Sequence, residues 1–362
     1  MAKYRVLISA ATDPATFLAE LPIMSVAVTE TLNDSGSASV SLPLRIQDPD
    51  ALQVITDANL DPATTLVWVE RDEVLIWGGI LWSLSGNVAG NMLTLNASGF
   101  HSYLRRRVIR ATASYSSIDQ LVIARSLVDL AEAVSGSLDI ISTSDTEVSG
   151  KTRTRLYNSW DRKPFGEAIE QLAAVEDGFD FRYEVAYNAD KTAPTVEFRT
   201  TYPALGQATN YVFDLASNAE ALSFTRDGSS RVNEVDALGE GEGPGQIIRT
   251  RTNPSALSSE PLLQGVVSAT DVIEADTLRA HAGRALSRGS SSVVQYKIQV
   301  DPAAEPVHTA YQVGDIVELR ADYGYLDDSG EYRIVEKTVK AEAGGEVVSL
   351  TLTSLVIFSD IT

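Results

Sequence analysis

The chain has 362 residues, 44% hydrophobic and 22% charged, an ordinary globular composition that is long for one core and predicts two to three domains. Its 29 basic and 49 acidic side chains leave a net charge of −20, which argues against a phosphate-neutralising grip on nucleic acid. With no cysteine, disulfides and thiolate metal sites are impossible, in keeping with a reducing compartment.

The N-terminus, Met1-Ala2-Lys3-Tyr4-Arg5-Val6-Leu7-Ile8, runs straight into a short strand and lacks the apolar region and cleavage site of a signal peptide, so a soluble, non-exported chain is expected. Residues 1–110 read as all-β. Tyr4, Val6 and Ile8 alternate, and Val26-Ala27-Val28 leads to the turn-like Asn33-Asp34-Ser35-Gly36. Ala38, Val40 and Leu42 then alternate with Ser39, Ser41 and Pro43. Val67 to Glu70 and Val74 to Trp77 flank the polar corner Arg71-Asp72-Glu73, which predicts a hairpin. The same charges interrupt the apolar tract Leu66 to Leu84, so it cannot span a bilayer. Trp77 beside Gly78 predicts a bulge or corner, where a large side chain packs against bare backbone. Leu93, Leu95 and Ala97 alternate with Thr94, Asn96 and Ser98 as a half-buried strand. Several short strands at even spacing predict a small barrel or sandwich.

The pattern changes after Arg110. Ser116-Ser117 precedes a helix predicted over Ile118 to Val134, with Leu121, Ala124, Val128 and Ala131 at helical spacing and Ser135-Gly136 as its end. A second helix starts at Pro164, places Phe165, Ala168, Ile169, Leu172 and Ala173 on one face, and stops by Gly178. Phe179 to Tyr187 and Thr195 to Arg199 form a predicted hairpin around Asn188-Ala189-Asp190, so residues 111–210 read as a small α+β unit.

From Tyr211 β-character returns, with strands at Asn218 to Thr225 and Arg231 to Leu238 around the turn pair Asp227-Gly228. The run Gly239 to Gly245 reads as a loop and Thr252 to Glu260 as weakly structured. Asp271-Val272-Ile273-Glu274 fits a capping box that opens a helix carrying Leu278, Ala282, Ala285 and Leu286. Val294, Tyr296, Ile298 and Val300 then alternate cleanly. Val313 to Leu319, Tyr332 to Lys337 and Val347 to Leu352 complete a second β-set, with hairpin turns marked by Asp328-Ser329-Gly330 and Gly344-Gly345.

The stretch from Val74 to Arg107, with its order W-G-G-I, hairpin, L-x-L-x-A-x-G and Tyr103-Leu104, resembles the first barrel of the tail-tip hub proteins of long-tailed bacteriophages. That family includes baseplate hubs, Tal-type proteins and many actinophage minor tail proteins. Val313-Gly314-Asp315-Ile316-Val317-Glu318-Leu319, then Gly330 to Lys337, then Val347 to Leu352 resemble the end of a hub's second barrel. The resemblance implies a mainly β protein with an α+β insert: a tube-like β-barrel over residues 1–110, a small α+β domain over 111–210, and a second tube-like barrel with one helix over 211–362. It also implies a homotrimer whose six barrels make a pseudo-sixfold ring joining tail tube to tip. The implied partners are the distal tail or tail-tube protein, the tape-measure protein and other minor tail or receptor-binding proteins. Genomic DNA would cross the lumen without specific binding. The expected setting is the virion tail tip, assembled in the host bacterial cytoplasm. Many relatives carry a C-terminal peptidoglycan-cleaving extension; the chain stops at Thr362, just after the last strand, so that activity is not expected.

Nothing in the sequence singles out an active site, and no enzyme activity, cofactor or metal is expected. His101, His281 and His308 are far apart and form no zinc pattern. Gly239 to Gly245 looks like a phosphate loop, but its spacing fails, Glu240 and Glu242 would repel anions, and Gln246-Ile247-Ile248 follows instead of a helix. Asp177 and Asp180 with Glu176 invite a carboxylate-pair reading, yet they surround a helix stop, where charges are usually only solvated. Two other classes stay open: a tail-associated cell-wall hydrolase and a host-surface carbohydrate-binding β-module. The acidic charge likewise fits either simple solubility or a wall that repels passing DNA. The basic cluster Arg105, Arg106, Arg107 and Arg110, echoed by Lys151, Arg153, Arg155, Arg162 and Lys163, fits either local ion pairing or a subunit-contact patch. The two β-sets are expected to be copies of one barrel, with residues 111–210 outside them, because a threefold assembly meets a sixfold tube only if each chain presents two similar units.

Overall fold

The computed structural model describes residues 2–46, 60–140, 145–175, 177–270, 272–290 and 292–355, and the chain is mainly β. Seven strands form the first half: β1 (Tyr4–Ala10), β2 (Asp13–Leu21), β3 (Ser25–Thr31), β4 (Ser37–Pro43), β5 (Thr65–Arg71), β6 (Val74–Asn87) and β7 (Met92–Gly99). Strand β5 is buried at six of its seven positions because both of its faces are covered. Val67 and Val69 enter one core, and Leu66 and Trp68 enter another. Asp72 and Glu73 both adopt positive φ (49° and 65°), the two-residue hairpin geometry expected at that corner. Gly78 lies opposite Trp68, and a Cβ there would sit 2.6 Å from the indole, so only bare backbone fits. A bulge falls next to it, where the β5–β6 register shifts between Val69 and Glu70.

The middle of the chain supplies α1 (His101–Leu104), β8 (Ala113–Asp119), α2 (Gln120–Glu132), β9 (Thr152–Tyr157), α3 (Phe165–Ala173), β10 (Asp180–Tyr187) and β11 (Pro194–Thr201). Asp119, not Ser116-Ser117, caps α2: its carboxylate accepts the Leu121 N–H at 2.9 Å, and the two serines lie within β8. Helix α3 begins at Phe165 with Pro164 at its N-cap, one position before the expected first turn, and its buried Phe165, Ile169 and Leu172 each contribute about 1.5–3 kcal/mol relative to exposure. A Cβ at Gly178 would lie 2.0 Å from the Ala173 carbonyl oxygen, so the chain reverses there only with glycine. These elements stand outside the large sheet but share its core. Leu7, Trp68 and Ile80 cluster with Leu121, Leu127, Ile169, Phe181 and Phe198.

The second half contributes β12 (Ala208–Asp214), β13 (Ala219–Asp227), β14 (Glu234–Leu238), β15 (Ile248–Thr252), β16 (Gln264–Ser268), α4 (Ala275–Arg288), β17 (Val293–Val300), β18 (Ile316–Tyr323), β19 (Leu326–Glu342) and β20 (Gly345–Ser354). Helix α4 starts at Ala275 with Glu274 at its N-cap and no side-chain cap bond, three residues after the expected cap; Asp271 itself lies outside the described residues. Gly239 to Gly245 sits between β14 and β15 as a loop with a single 3-10 turn. Asp328-Ser329-Gly330 does not turn the chain. It pairs with Leu319 to Ala321 inside the β18–β19 ladder, and the reversal comes earlier, at Gly324 (φ 60°). The β19–β20 hairpin does turn at Gly344. Strands β14 to β16 form a separate three-stranded sheet under α4, inserted between β13 and β17, so the strand expected at Arg231 to Leu238 stands outside the second β-set.

Thirteen strands make one sheet, in the order β13-β17-β20-β19-β3-β4-β7-β6-β5-β1-β2, with β18 on β19 and β12 on β18. The described residues form no closed barrel. The expected pair of barrels appears instead as two open halves joined where β3 meets the C-terminal part of β19. The physical reason is that β19 is 17 residues long: it pairs with β18 first, then outruns it and offers the same edge to β3.

The two halves repeat one strand order. In the first it is β5-β6-β7-β4-β3, and in the second β18-β19-β20-β17-β13, antiparallel throughout. The register repeats as well. Both β6 and β19 carry a bulge at the same place against their partners, between Leu81 and Ser83 and between Ile334 and Glu336. The outer strands differ: β1 runs antiparallel to β5, whereas β12 runs parallel to β18.

Candidate functional site

The residues with potential chemistry are all engaged in structure. His101 is fully buried, with Nδ1 2.9 Å from the Tyr183 hydroxyl and Nε2 2.8 Å from Glu170. His281 meets Arg155 at 3.2 Å, and His308 lies 3.3 Å from Glu346. Asp177 pairs with Lys151 at 2.7 Å on the surface, while Asp180 is buried and faces Arg333, so the two carboxylates serve different bonds; Glu176 lies outside the described residues. Among the described residues no group of three or more His, Cys, Asp or Glu could hold a metal ion. Among the described residues no helix is long and apolar enough to cross a membrane.

Asp180 joins three parts of the chain. Asp180 accepts from Asn33 Nδ2 at 2.6 Å, from the Leu205 N–H at 2.8 Å and from Arg333. Asn33 belongs to the first half, Asp180 to the middle unit and Arg333 to β19. Arg333 also donates to the carbonyls of Gly314 (2.9 Å) and Leu205 (2.6 Å). There the backbones approach so closely that a Cβ on Gly206 would lie 2.2 Å from the Gly314 carbonyl carbon.

A second junction joins β1 and β5 to β20. Arg71 donates to Glu346 at 2.8 Å, and the Tyr4 hydroxyl donates to the same carboxylate at 2.5 Å. Burial pushes the Glu346 carboxyl up, but the bonds from Arg71 and Tyr4 outweigh it and bring its pKa down to about 2. Burial lowers the pKa of His308 and of Lys337 beside it. Lys337 donates to the carbonyls of His308 (2.7 Å) and Tyr311 (2.9 Å). A cleft of about 470 Å³ runs between the halves, lined by Glu30, Asp34, Trp77, Arg182, Glu184 and Lys337 among others. Its charges are mixed.

The arginine cluster splits in two. Arg105 is held by Asp34 (2.9 Å) and Glu170 (2.6 Å), and Arg107 lies over the Tyr103 ring and bonds its hydroxyl. Arg106 stacks 4.1 Å over Trp82, and Arg110 is exposed without an ion-pair partner among the described residues. Of the echoing basic residues, Arg155 is buried and Lys163 lies over Tyr157. Trp82 sits at the β6 bulge, so Arg106 flanks the exposed end of that strand. Sequence reasoning missed this end: Ser83 to Asn87 are all exposed. The strand expected at Asn218 to Thr225 is present as β13, but its exposure was not foreseen. Pairing with a distant strand leaves no local pattern in either segment.

No protein-family model matches the chain, and no curated protein matches it significantly. Its fold does match solved structures. A tail protein from Neisseria meningitidis aligns at TM-score 0.62 and 13% identity, covering 99% of this chain and 98% of that one. The 43 kDa tail protein of prophage MuSo2 from Shewanella oneidensis aligns at 0.62 and 11% identity, covering 98% and 99%. Prophage tail protein gp18 from Listeria monocytogenes aligns at 0.53 and 14% identity, covering 99% and 98%. At such identities the likeness is one of fold, and over nearly its whole length the chain has the fold of phage tail proteins.

Proposed function

We propose that this chain is a non-enzymatic structural component of a bacteriophage tail, placed at the tip as a hub that joins the tube to the tip. It assembles as a homotrimer in which each chain supplies two similar β-units, read as residues 1–110 and 211–362, around a pseudo-sixfold ring. Residues 111–210 form the smaller unit between them. The observation that carries this reading is the repeated strand order and bulge position of the two halves, joined edge to edge by β3 and β19. Three chains with two similar units each can sit on a sixfold tube; three single units cannot.

In this reading the partners are the tail-tube or distal tail protein above, the tape-measure protein within, and minor tail or receptor-binding proteins outside. The net charge of −20 suits a lumen that passes DNA without holding it. Arg106 and Arg110 are the members of the arginine cluster assigned to subunit contact, because Arg105 already pairs with Asp34 and Glu170 and Arg107 already donates to Tyr103, whereas Arg106 only stacks on Trp82 and keeps its donors free for a partner. The test is the mass of the purified chain by light scattering. Three copies are expected; a monomer at every concentration, or a twofold dimer, would overturn the hub.

A further inference from the structure

Each half presents the same two strand edges, and within one chain only one pair of them meets. Strand β3 pairs with β19 in the register Thr31 with Glu336, Thr29 with Thr338 and Val28 with Val339. The repeat identifies the counterparts residue by residue. The matching bulges align Ser83 of β6 with Glu336, Ser85 with Thr338 and Gly86 with Val339. Across the sheet, Val28 pairs with Ala38 and Ala38 with Ala97, while Phe224 pairs with Tyr296 and Tyr296 with Leu352. Ala97 and Leu352 stand opposite Leu81 and Ile334, the residues just before the two bulges, so Phe224 corresponds to Val28, Thr225 to Thr29 and Asp227 to Thr31.

Among the described residues these counterpart edges are unpaired: β13 pairs only with β17, and β6 beyond Leu81 only with β7. Their apolar side chains are correspondingly bare. Phe224 is 41% exposed where Val28 is 4%, and Leu84 and Val88 on the β6 hairpin are 39% and 85% exposed. A long edge without proline invites another strand.

We infer that β13 of one copy adds antiparallel to β6 of a second copy, in the register Asp227 with Ser83, Thr225 with Ser85 and Ser223 with Asn87, reproducing between chains the junction that β3 and β19 make within one. The side chains fit this register. Phe224 falls opposite Gly86, which leaves room for the ring beside Leu44, 3.6 Å from where a Gly86 Cβ would stand. Thr225 and Ser85 take the places of Thr29 and Thr338, whose hydroxyls lie 2.9 Å apart. The Gly228 N–H reaches the Trp82 carbonyl as the Leu32 N–H reaches that of Val335, at 2.9 Å. Asp227 then arrives beside Trp82 and the Arg106 stacked on it. The contact uses different edges on the two copies, so it is head-to-tail: it builds a ring where its rotation closes and never a twofold dimer. The number of copies rests on the hub reading above; the contact itself does not.

The absence of cysteine makes a disulfide trap clean. Full-length S85C and T225C are purified separately, mixed and mildly oxidised, with the double variant T29C/T338C as the within-chain control. Opposed strand positions match disulfide geometry, so the mixture should give a two-chain product roughly ten-fold above either variant alone. The double variant S85C/T225C should give covalently closed rings. A mixture no better than the single variants, while T29C/T338C forms its bond, overturns the edge assignment. If light scattering still shows three copies, the hub stands and only this contact fails. If it shows single chains, both fail.

Discussion

Replacing Arg333 by methionine should be the most damaging single change at the junction of the three units. The guanidinium is 1% exposed and the Asp180 carboxylate facing it 8%, so both charges sit away from water. Methionine keeps much of the volume but removes the donors to Asp180, Gly314 and Leu205. Asp180 would keep its bonds from Asn33 and Leu205 but lose its facing charge, and two buried carbonyls would lose donors. Breaking one side of a buried pair costs about 3–5 kcal/mol, against at most about 1 kcal/mol for an exposed pair. Urea unfolding followed by circular dichroism gives the loss directly. Adding D180N should recover part of it, because the stranded carboxylate is then neutral, with a coupling of about 1–3 kcal/mol across the double-mutant cycle. A loss below about 1 kcal/mol for R333M, or strict additivity with D180N, would refute the latch.

Acid should loosen the second junction. Glu346 titrates near 2 in the folded chain against an ordinary 4.5, so its contribution is present above 4.5 and is lost as the pH falls from 4.5 through 2. It amounts to about 3 kcal/mol at most, and E346Q should flatten that limb of a stability–pH curve; an unchanged limb would remove Glu346 from the account. Valine at Gly78 would drive its side chain into the Trp68 ring, where even a Cβ comes within 2.6 Å, and should destabilise by about 1–3 kcal/mol in thermal unfolding; a neutral result would mean the strand shifts freely. Reversing Arg106 and Arg110 to glutamate should weaken assembly in sedimentation while leaving the circular dichroism spectrum native, since neither pairs with a carboxylate within the chain; intact assembly would remove them from the contact. A cell-wall gel should not clear around the purified protein, and clearing abolished by changing Asp177 or Asp180 would contradict a structural role.

Legibility followed the range of the interactions. Alternation in β4, β7 and β17 announced half-buried strands, because one face meets the core and the period is local. The apolar face of α3 and its start next to Pro164 were equally plain. The Ser-rich β8 reads as the approach to a helix, since its strand character comes from pairing with the distant β9 and not from its own pattern. Asp328-Ser329-Gly330 has turn chemistry but is held straight by β18, while Gly324 turns between two exposed tyrosines. The sheet of β14 to β16 escaped because its β14–β16 ladder is parallel and joins distant segments. The arginine cluster was visible as a run of charge, but which members were engaged depended on Asp34, Glu170, Trp82 and Tyr103, brought in from elsewhere in the chain.

The central claim is that two similar halves per chain build a ring of three. Electron-microscopic class averages of the purified assembly, viewed down its axis, test it most directly. A closed ring of six similar lobes with threefold symmetry is expected, the smaller units marking every second lobe. A ring with any other number of lobes, a twofold particle, or an open filament would contradict it.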